Sequence, residues 1–286
     1  MILSQADGYT DAFYIRFTTH RQKSLIIGTS RAAQGLQPGV LNDVLGRDDF
    51  FNYSFTLAHS PYGPAYLDSI KKKLSPDSQN GIHIVTVDPW GISSTCKNPN
   101  DKFQFRELKS FISKMKIVNK KPNFDYLINN FDKNFANILI KDSRKFLHTN
   151  GWLEVTVKMD PEIVQRRINK KIQEYKNKVL PRYKFSNVRY EYLFKTIEFL
   201  KQHGRVFMVR LPIHPKMMDI ERILMPDFNN KMQNIVVKSS IKYYDMTYMN
   251  SNFTYTDGNH LHKESGAQVS KIIAEWILKN TKVHNY

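Results

Sequence analysis

Short apolar runs alternate with amphipathic stretches at both ends of this chain, and the middle third breaks the rhythm. "SLII", Ser24–Ile27, is a β-rich run closed by a turn signal and predicts a buried strand. "PGVLNDVLG" predicts a short helix, with Pro38 near its start and Gly46 past its end. "FFNYSFTL" predicts a second strand, Pro64–Leu74 an amphipathic helix, and Ile82–Val87 a third strand halted by Pro89. The alternation resumes near residue 186. "VRYEYLFKTIEFLKQHG" predicts a helix ending at Gly204, "RVFMVRLPI" a fourth strand, and "KMMDIERILMPDFNNKMQNI" a helical stretch broken at Pro226. "IKYYDMT" predicts a fifth strand and "KESGAQVSKIIAEWILKN" a closing helix.

Strands that alternate with helices favour a parallel sheet with crossover helices, the α/β class. Residues 91–185 do not fit that pattern. They combine loops, a helical "FRELKSFISKMKIV", an Asn-rich "LINNFDKNFANILI", a strand or hairpin element in "GWLEVTVKM" and a basic helix over 161–180. The reading is one domain over residues 1–286 carrying a mainly helical, basic insertion at about 91–185.

Composition sharpens this in three ways. A hydrophobic content of 41% supports a core and excludes a disordered chain. The single cysteine, Cys96, excludes a disulfide framework and cysteine-rich metal sites. Net charge is +17, and residues 97–189 carry 22 Lys and Arg against 9 Asp and Glu, a net +13. Within that stretch, the basic helix over 161–180 is read first as a solvated amphipathic face, second as an electrostatic guide for an acidic polymer, and only third as a nucleic-acid surface. Aromatic residues are not interleaved with its basic ones as a stacking platform requires. No apolar run reaches eighteen residues, so the sequence predicts no membrane span.

The candidate chemistry begins at "SLIIGTSRAAQG". In a parallel α/β sheet, ligands gather where the strands end. Ser30 follows the first strand, where backbone N–H groups of a strand-to-helix turn face the same way. A serine hydroxyl needs a base to become a nucleophile. "YTDGNHLHKESG" supplies one just before the last helix: Asp257 and His260 are three apart, so one tight turn brings a carboxylate to an imidazole. His262 competes with His260 for that role. Gly28–Gly35 lacks the Gly-Lys-Ser/Thr of a phosphate-binding loop, and "GTSRA" departs from the Gly-x-Ser-x-Gly elbow at its last position.

"IIGTSRAAQGL" resembles the first block of the SGNH (GDSL-like) hydrolase superfamily, and "DGNHLHKESGAQVSKIIAEWI" resembles its last. The Gly-x-Ser-Arg variant is similar to SGNH-like domains of bacterial envelope proteins, including those linked to polysaccharide O-acetylation. The resemblance covers both ends of the chain and none of residues 91–185. It implies a three-layer α/β/α sandwich with a short, flavodoxin-like parallel sheet. It implies a serine esterase or O-acyltransferase with Ser30 as nucleophile, His260 as base and Asp257 as orienting acid, and no cofactor. The implied partner is an acylated carbohydrate or small ester, and the implied setting the periplasm or cell envelope, with an N-terminal anchor outside this chain as one arrangement.

Two positions depart from the family pattern. Ser54 or Thr56 stands where a glycine N–H is expected to meet the oxyanion, and Thr56 is the candidate second donor beside Ser30. "VDPWGIS" offers no asparagine at the third block, so either another group replaces it or catalysis is weak or absent. Arg31, Arg210 and His214 are the replacement or substrate-binding candidates on the same rim, with Asp88 and Trp90 as further pocket residues. His214 reads equally as a surface loop residue, and Trp90 more readily as packing. The alternative reading is a non-catalytic SGNH-like module that binds an anionic polysaccharide through its basic insertion.

Overall fold

The computed structural model describes residues 2–131, 134–141 and 144–281. In chain order its regular elements begin with β1 (Ser24–Ile27), α1 (Ser30–Gly35), α2 (Pro38–Leu45), β2 (Phe50–Asn52), α3 (Pro64–Lys73) and β3 (Gly81–Thr86). The middle segment holds β4 (Ser93–Ser94), α4 (Phe111–Lys114), α5 (Phe124–Asn129), β5 (Lys145–Leu147), β6 (Leu153–Val155), α6 (Pro161–Glu174) and β7 (Lys184–Phe185). Then follow α7 (Asn187–Lys201), β8 (Gly204–Arg210), α8 (Pro215–Leu224), α9 (Phe228–Ser239), β9 (Lys242–Asp245) and α10 (Lys263–Thr281).

Five strands form one parallel sheet in the order β2-β1-β3-β8-β9. Alternate side chains point to opposite faces, as the pleat requires. Leu25, Ile27, Val85 and Met208 join a core with Tyr66 and Ile70 of α3, Leu193 and Ile197 of α7 and Met232 of α9. Ile26, Ile84, Phe207 and Val209 face the other way, onto Ala32 of α1, Leu41 of α2 and Val269, Ile273 and Ile277 of α10. Helices therefore cover both faces, which makes the three-layer α/β/α sandwich. All four residues of β1 are buried for the same reason.

The second strand is shorter than "FFNYSFTL" predicts. It ends at Asn52, whose Nδ2 donates to the Ala32 and Leu36 carbonyls at 2.8 and 2.9 Å and whose Oδ1 accepts the Ser54 N–H at 3.1 Å. These bonds tie the strand end to α1, and past Asn52 only single backbone bonds, Tyr53 N–H to Ile26 and Phe55 N–H to Gly28, still follow β1. The helix predicted over 161–180 starts at a side-chain cap, where Asp160 accepts the N–H groups of Glu162 and Ile163, and Pro161 stands at its first turn. It keeps α geometry to Glu174 and continues as a π turn over Tyr175–Val179. "GWLEVTVKM" contributes β6, paired antiparallel with β5. Among the described residues of 91–185, α6 is the longest helix, and the other regular elements are helices of one to two turns and two small β pairs. Asp132, Lys133, Asp142 and Ser143 lie outside the described residues.

Candidate active site

Every strand of the sheet points its carboxyl end at one rim, and the polar residues collect there. Ser30 opens α1 directly after β1. The loop before α10 returns to the same rim from β9, and a bridge between Tyr255 and Leu261 closes it into a narrow turn. Gly258 sits at φ +80°, a conformation that costs a side chain about 1 kcal/mol or more, so this tight turn needs a glycine. α1 and α10 also approach closely: a Cβ on Gly266 would lie 2.9 Å from the Gly35 carbonyl oxygen. The bare Gly266 backbone thus lets the helix carrying Ser30 lie against the helix that follows His260.

The result is a continuous hydrogen-bonded relay. Ser30 Oγ and His260 Nε2 are 2.9 Å apart, across 230 positions of sequence. His260 Nδ1 lies 3.0 and 3.1 Å from the two carboxylate oxygens of Asp257. Asp257 Oδ1 also accepts the backbone N–H groups of Asn259 and His260, each at 3.0 Å. Burial by itself would raise the Asp257 pKa. The facing imidazole, with its charge and hydrogen bond, and the Asn259 N–H outweigh that and hold the carboxyl well below its usual range. A carboxylate bound to Nδ1–H leaves Nε2 as the acceptor for the Ser30 hydroxyl. His262, the competing imidazole, takes no part; it lies 4.0 Å from Glu264.

Thr56 and Ser30 line one cavity of about 330 Å³. Its other walls include Tyr9, Phe13 and Arg16 from the N-terminal segment, Gln34 of α1, and Lys145 and Leu153 of the β5–β6 hairpin. Of the two candidates for the second donor, Ser54 is buried and its N–H is taken by Asn52, whereas Thr56 faces the cavity. Thr56 Oγ1 is held by His59 at 2.7 Å.

The expected rim of substrate contacts is arranged differently. Arg31, Asp88, Trp90 and Arg210 are buried against one another rather than lining the cavity beside Ser30. Their hub is Glu221 of α8. Arg31 and Trp90 Nε1 donate to its Oε1 at 2.6 and 2.9 Å, and Arg210 donates to its Oε2 at 3.0 Å. Burial pushes the Glu221 pKa up, but the two guanidinium groups overcome this and lower it. Asp88 lies 3.8 Å from Arg31, and burial, partly offset by that guanidinium, raises its pKa. Trp90 packs edge-on against Tyr175 and Tyr183, so its ring belongs to a core and offers no stacking face. His214 caps α8, its Nδ1 accepting the Lys216 N–H at 3.3 Å. Helix α6 belongs to the surroundings of the site: Ile168 would be 3.5 Å from a Cβ on Gly258.

Three contributors escaped the sequence reading. Glu221 left one signal, a carboxylate among the apolar positions Met217, Met218 and Ile220 of its helix. Asn259 lay in plain view between Asp257 and His260. Its Oδ1 accepts two N–H groups of Arg31, at 3.1 and 2.8 Å. The cavity walls from Tyr9–Arg16 and the β5–β6 hairpin left no signal, because neither stretch has a motif or a period pointing at Ser30.

Fold and site together describe an α/β protein with a serine–histidine–aspartate relay at the carboxyl rim of a five-stranded parallel sheet. No protein-family model matches the sequence, and no curated protein does. Among solved structures, the chain is similar to a carbohydrate acetylesterase from Sinorhizobium meliloti, with 8% identity, a TM-score of 0.41, and coverage of 90% of this chain and 99% of that one. It is also similar to the M. smegmatis aryl esterase, native (9% identity) and inhibitor-bound (10%), each with a TM-score of 0.37 and the same coverage. Likenesses this distant assign no activity, and the chemistry that follows rests on the chain's own atoms.

Proposed function

We propose that this protein is a serine esterase or O-acyltransferase of the SGNH type, working through an acyl-enzyme on Ser30. The observation that carries the reading is the unbroken Ser30–His260–Asp257 relay opening on a cavity. Ser30 Oγ attacks the acyl carbonyl as His260 Nε2 takes its proton, and Asp257 holds the resulting imidazolium. The tetrahedral oxyanion is met by the backbone N–H groups of Ser30 and Thr56. Collapse expels the alcohol, which receives the proton from His260. Water then attacks the Ser30 ester with His260 as base, or a sugar hydroxyl takes water's place and accepts the acyl group.

An acylated carbohydrate of the bacterial envelope is the substrate class favoured by the sequence resemblance of the Ser30 and His260 blocks. A cavity of about 330 Å³ suits a small acyl group with part of a sugar ring. The test is hydrolysis of p-nitrophenyl acetate by wild type and Ser30→Ala. Turnover that depends on Ser30 supports the reading, and equal rates for the two proteins remove it. A non-catalytic polysaccharide-binding module is the second reading. One observation favours it: just past β3 stands a buried Asp88 rather than an asparagine. The same assay separates the two.

A further inference from the structure

We propose that Asn259 is the side-chain oxyanion donor of this site, aimed by Arg31, and that it does the work the end of β3 leaves undone. The proposal rests on the serine acyl-transfer reading and adds a residue to it.

The end of β3 cannot supply this donor. Asp88 Oδ1 accepts the Gly91 N–H at 2.8 Å, and its Oδ2 accepts the Thr29 hydroxyl at 3.3 Å and faces Arg31 at 3.8 Å. Both oxygens are committed as acceptors, away from the relay. Asn259 stands in the opposite condition. It is 6% exposed, and its side chain reaches both the buried ion cluster and the relay. Arg31 Nε and an Nη both donate to Asn259 Oδ1, at 3.1 and 2.8 Å. Turning the amide over would set an NH2 group against two guanidinium donors, so the amide has one allowed sense. That sense directs Nδ2 at the reacting centre, 3.4 Å from His260 Nε2, the same nitrogen that lies 2.9 Å from Ser30 Oγ.

A contact of 3.4 Å is a weak hydrogen bond, and Nε2 already accepts the Ser30 hydroxyl. The amide N–H groups therefore stand beside the relay without being consumed by it. During attack, the Ser30 Oγ–carbon bond forms, the carbonyl π pair moves onto oxygen, and the serine proton passes to Nε2. A protonated Nε2 accepts nothing, so both Asn259 N–H groups stay available as negative charge appears on the oxygen a bond length away from the attacked carbon. A donor that strengthens only as charge develops lowers the barrier rather than binding the ground state. Arg31 is a positioning residue here. Glu221 fixes Arg31 at 2.6 Å, and Arg31 fixes the amide.

Asn259→Asp tests this most directly, because it keeps the acceptor for Arg31 and deletes the donor. Asn259→Ala deletes both, and Arg31→Lys loosens the clamp. The readouts are kcat and KM on p-nitrophenyl acetate, the rate of Ser30 labelling by an aryl fluorophosphonate followed by intact mass, and thermal unfolding. Both Asn259 variants are expected to lose roughly 100- to 1,000-fold in kcat, with KM within about threefold of wild type. Asn259→Asp should unfold within a few degrees of wild type. Arg31→Lys should lower kcat and not KM, and should add no further loss in the Asn259→Ala background, as expected of two residues acting through one contact. Wild-type rates of turnover and labelling in both Asn259 variants would overturn the assignment while leaving a Ser30-dependent esterase standing. Absence of Ser30-dependent turnover and labelling in wild type is a different result, and removes the esterase reading with it.

Discussion

Two polar constellations share the rim of this sheet and behave in opposite ways. The Ser30–His260–Asp257 relay is partly open: the side chains of His260 and Asp257 are 15% and 22% exposed, and the serine faces a cavity. The Arg31–Glu221–Arg210 cluster beside it is sealed, with the Glu221 side chain at 0% exposure between two guanidinium groups. The relay holds one hydroxyl and one imidazole that can exchange a proton. The cluster holds permanent charges that cannot do so within the working pH range. Asn259 joins them: its Oδ1 accepts two hydrogen bonds from Arg31, and its Nδ2 lies 3.4 Å from His260 Nε2. Rigid charge is useful here as a frame, and reactivity belongs to the groups left accessible.

Substitutions should divide along that line. The largest effect is expected for Ser30→Ala, a loss of roughly 10⁴- to 10⁶-fold in kcat, about 5–8 kcal/mol of barrier, at nearly unchanged melting temperature. More than a tenth of wild-type turnover in that variant would erase the distinction between the two constellations. Asp257→Asn keeps the shape but removes the charge that selects the tautomer. It is expected to cost about 10⁴-fold in kcat, close to 5 kcal/mol. A loss below tenfold would show that the carboxylate does not orient His260.

The cluster should answer in stability instead. Glu221→Ala leaves the buried Arg31 and Arg210 guanidinium groups with only their longer ion pairs, to Asp88 at 3.8 Å and Asp245 at 3.7 Å, and is expected to cost about 3–5 kcal/mol in urea unfolding. A cost under about 1 kcal/mol would mean that water or Asp88 already compensates them.

A third polar group, His83, sharpens the contrast between the two edges of the sheet. It is fully buried near the strand starts, and its Nδ1 accepts the Leu25 N–H at 3.3 Å. Burial, first among the causes, lowers its pKa to about 4. The unfolded chain therefore binds this proton from about pH 6.5 downward while the folded chain refuses it until about 4. Stability should fall by roughly 3 kcal/mol across that window on acidification, and His83→Gln should flatten the slope. The carboxyls of Asp257 and Glu221, both depressed, act lower: their contribution is complete above about pH 5 and is lost as pH falls further. An unchanged slope in His83→Gln would place the acid sensitivity elsewhere. The smallest effect is expected on the outer face of α6, where Lys170→Ala, at an exposed position, should stay within about 0.5 kcal/mol of wild type.

Much of the fold was legible because it is written locally. β1 falls on the residues that the apolar run marks, Gly46 ends α2 in the left-handed conformation at φ 64°, and Pro226 separates α8 from α9. The middle segment was harder. Its strands and turns are two to six residues long, too short for a period to declare itself, and they are held by contacts with distant parts of the chain. At the rim, residue types pointed to a set of candidates but not to their directions. Arg31, Asp88 and Arg210 were read as facing a substrate and Trp90 more readily as packing; all four turn inward, where Glu221, itself unforeseen, pairs with both arginines and accepts from the indole.

The sequence by itself determined the order of strands and helices, the turn that holds Asp257 to His260, and the rim where Ser30 emerges. Each of those is set by neighbours a few residues apart, through periodicity, capping and the glycine a tight turn requires. Only the tertiary structure decided that His260 and not His262 meets Ser30, that Asn259 leans on Arg31, and that the N-terminal segment and the β5–β6 hairpin wall the cavity. Those outcomes depend on how two helices and five strands pack, and packing joins side chains more than two hundred positions apart that carry no local trace of one another.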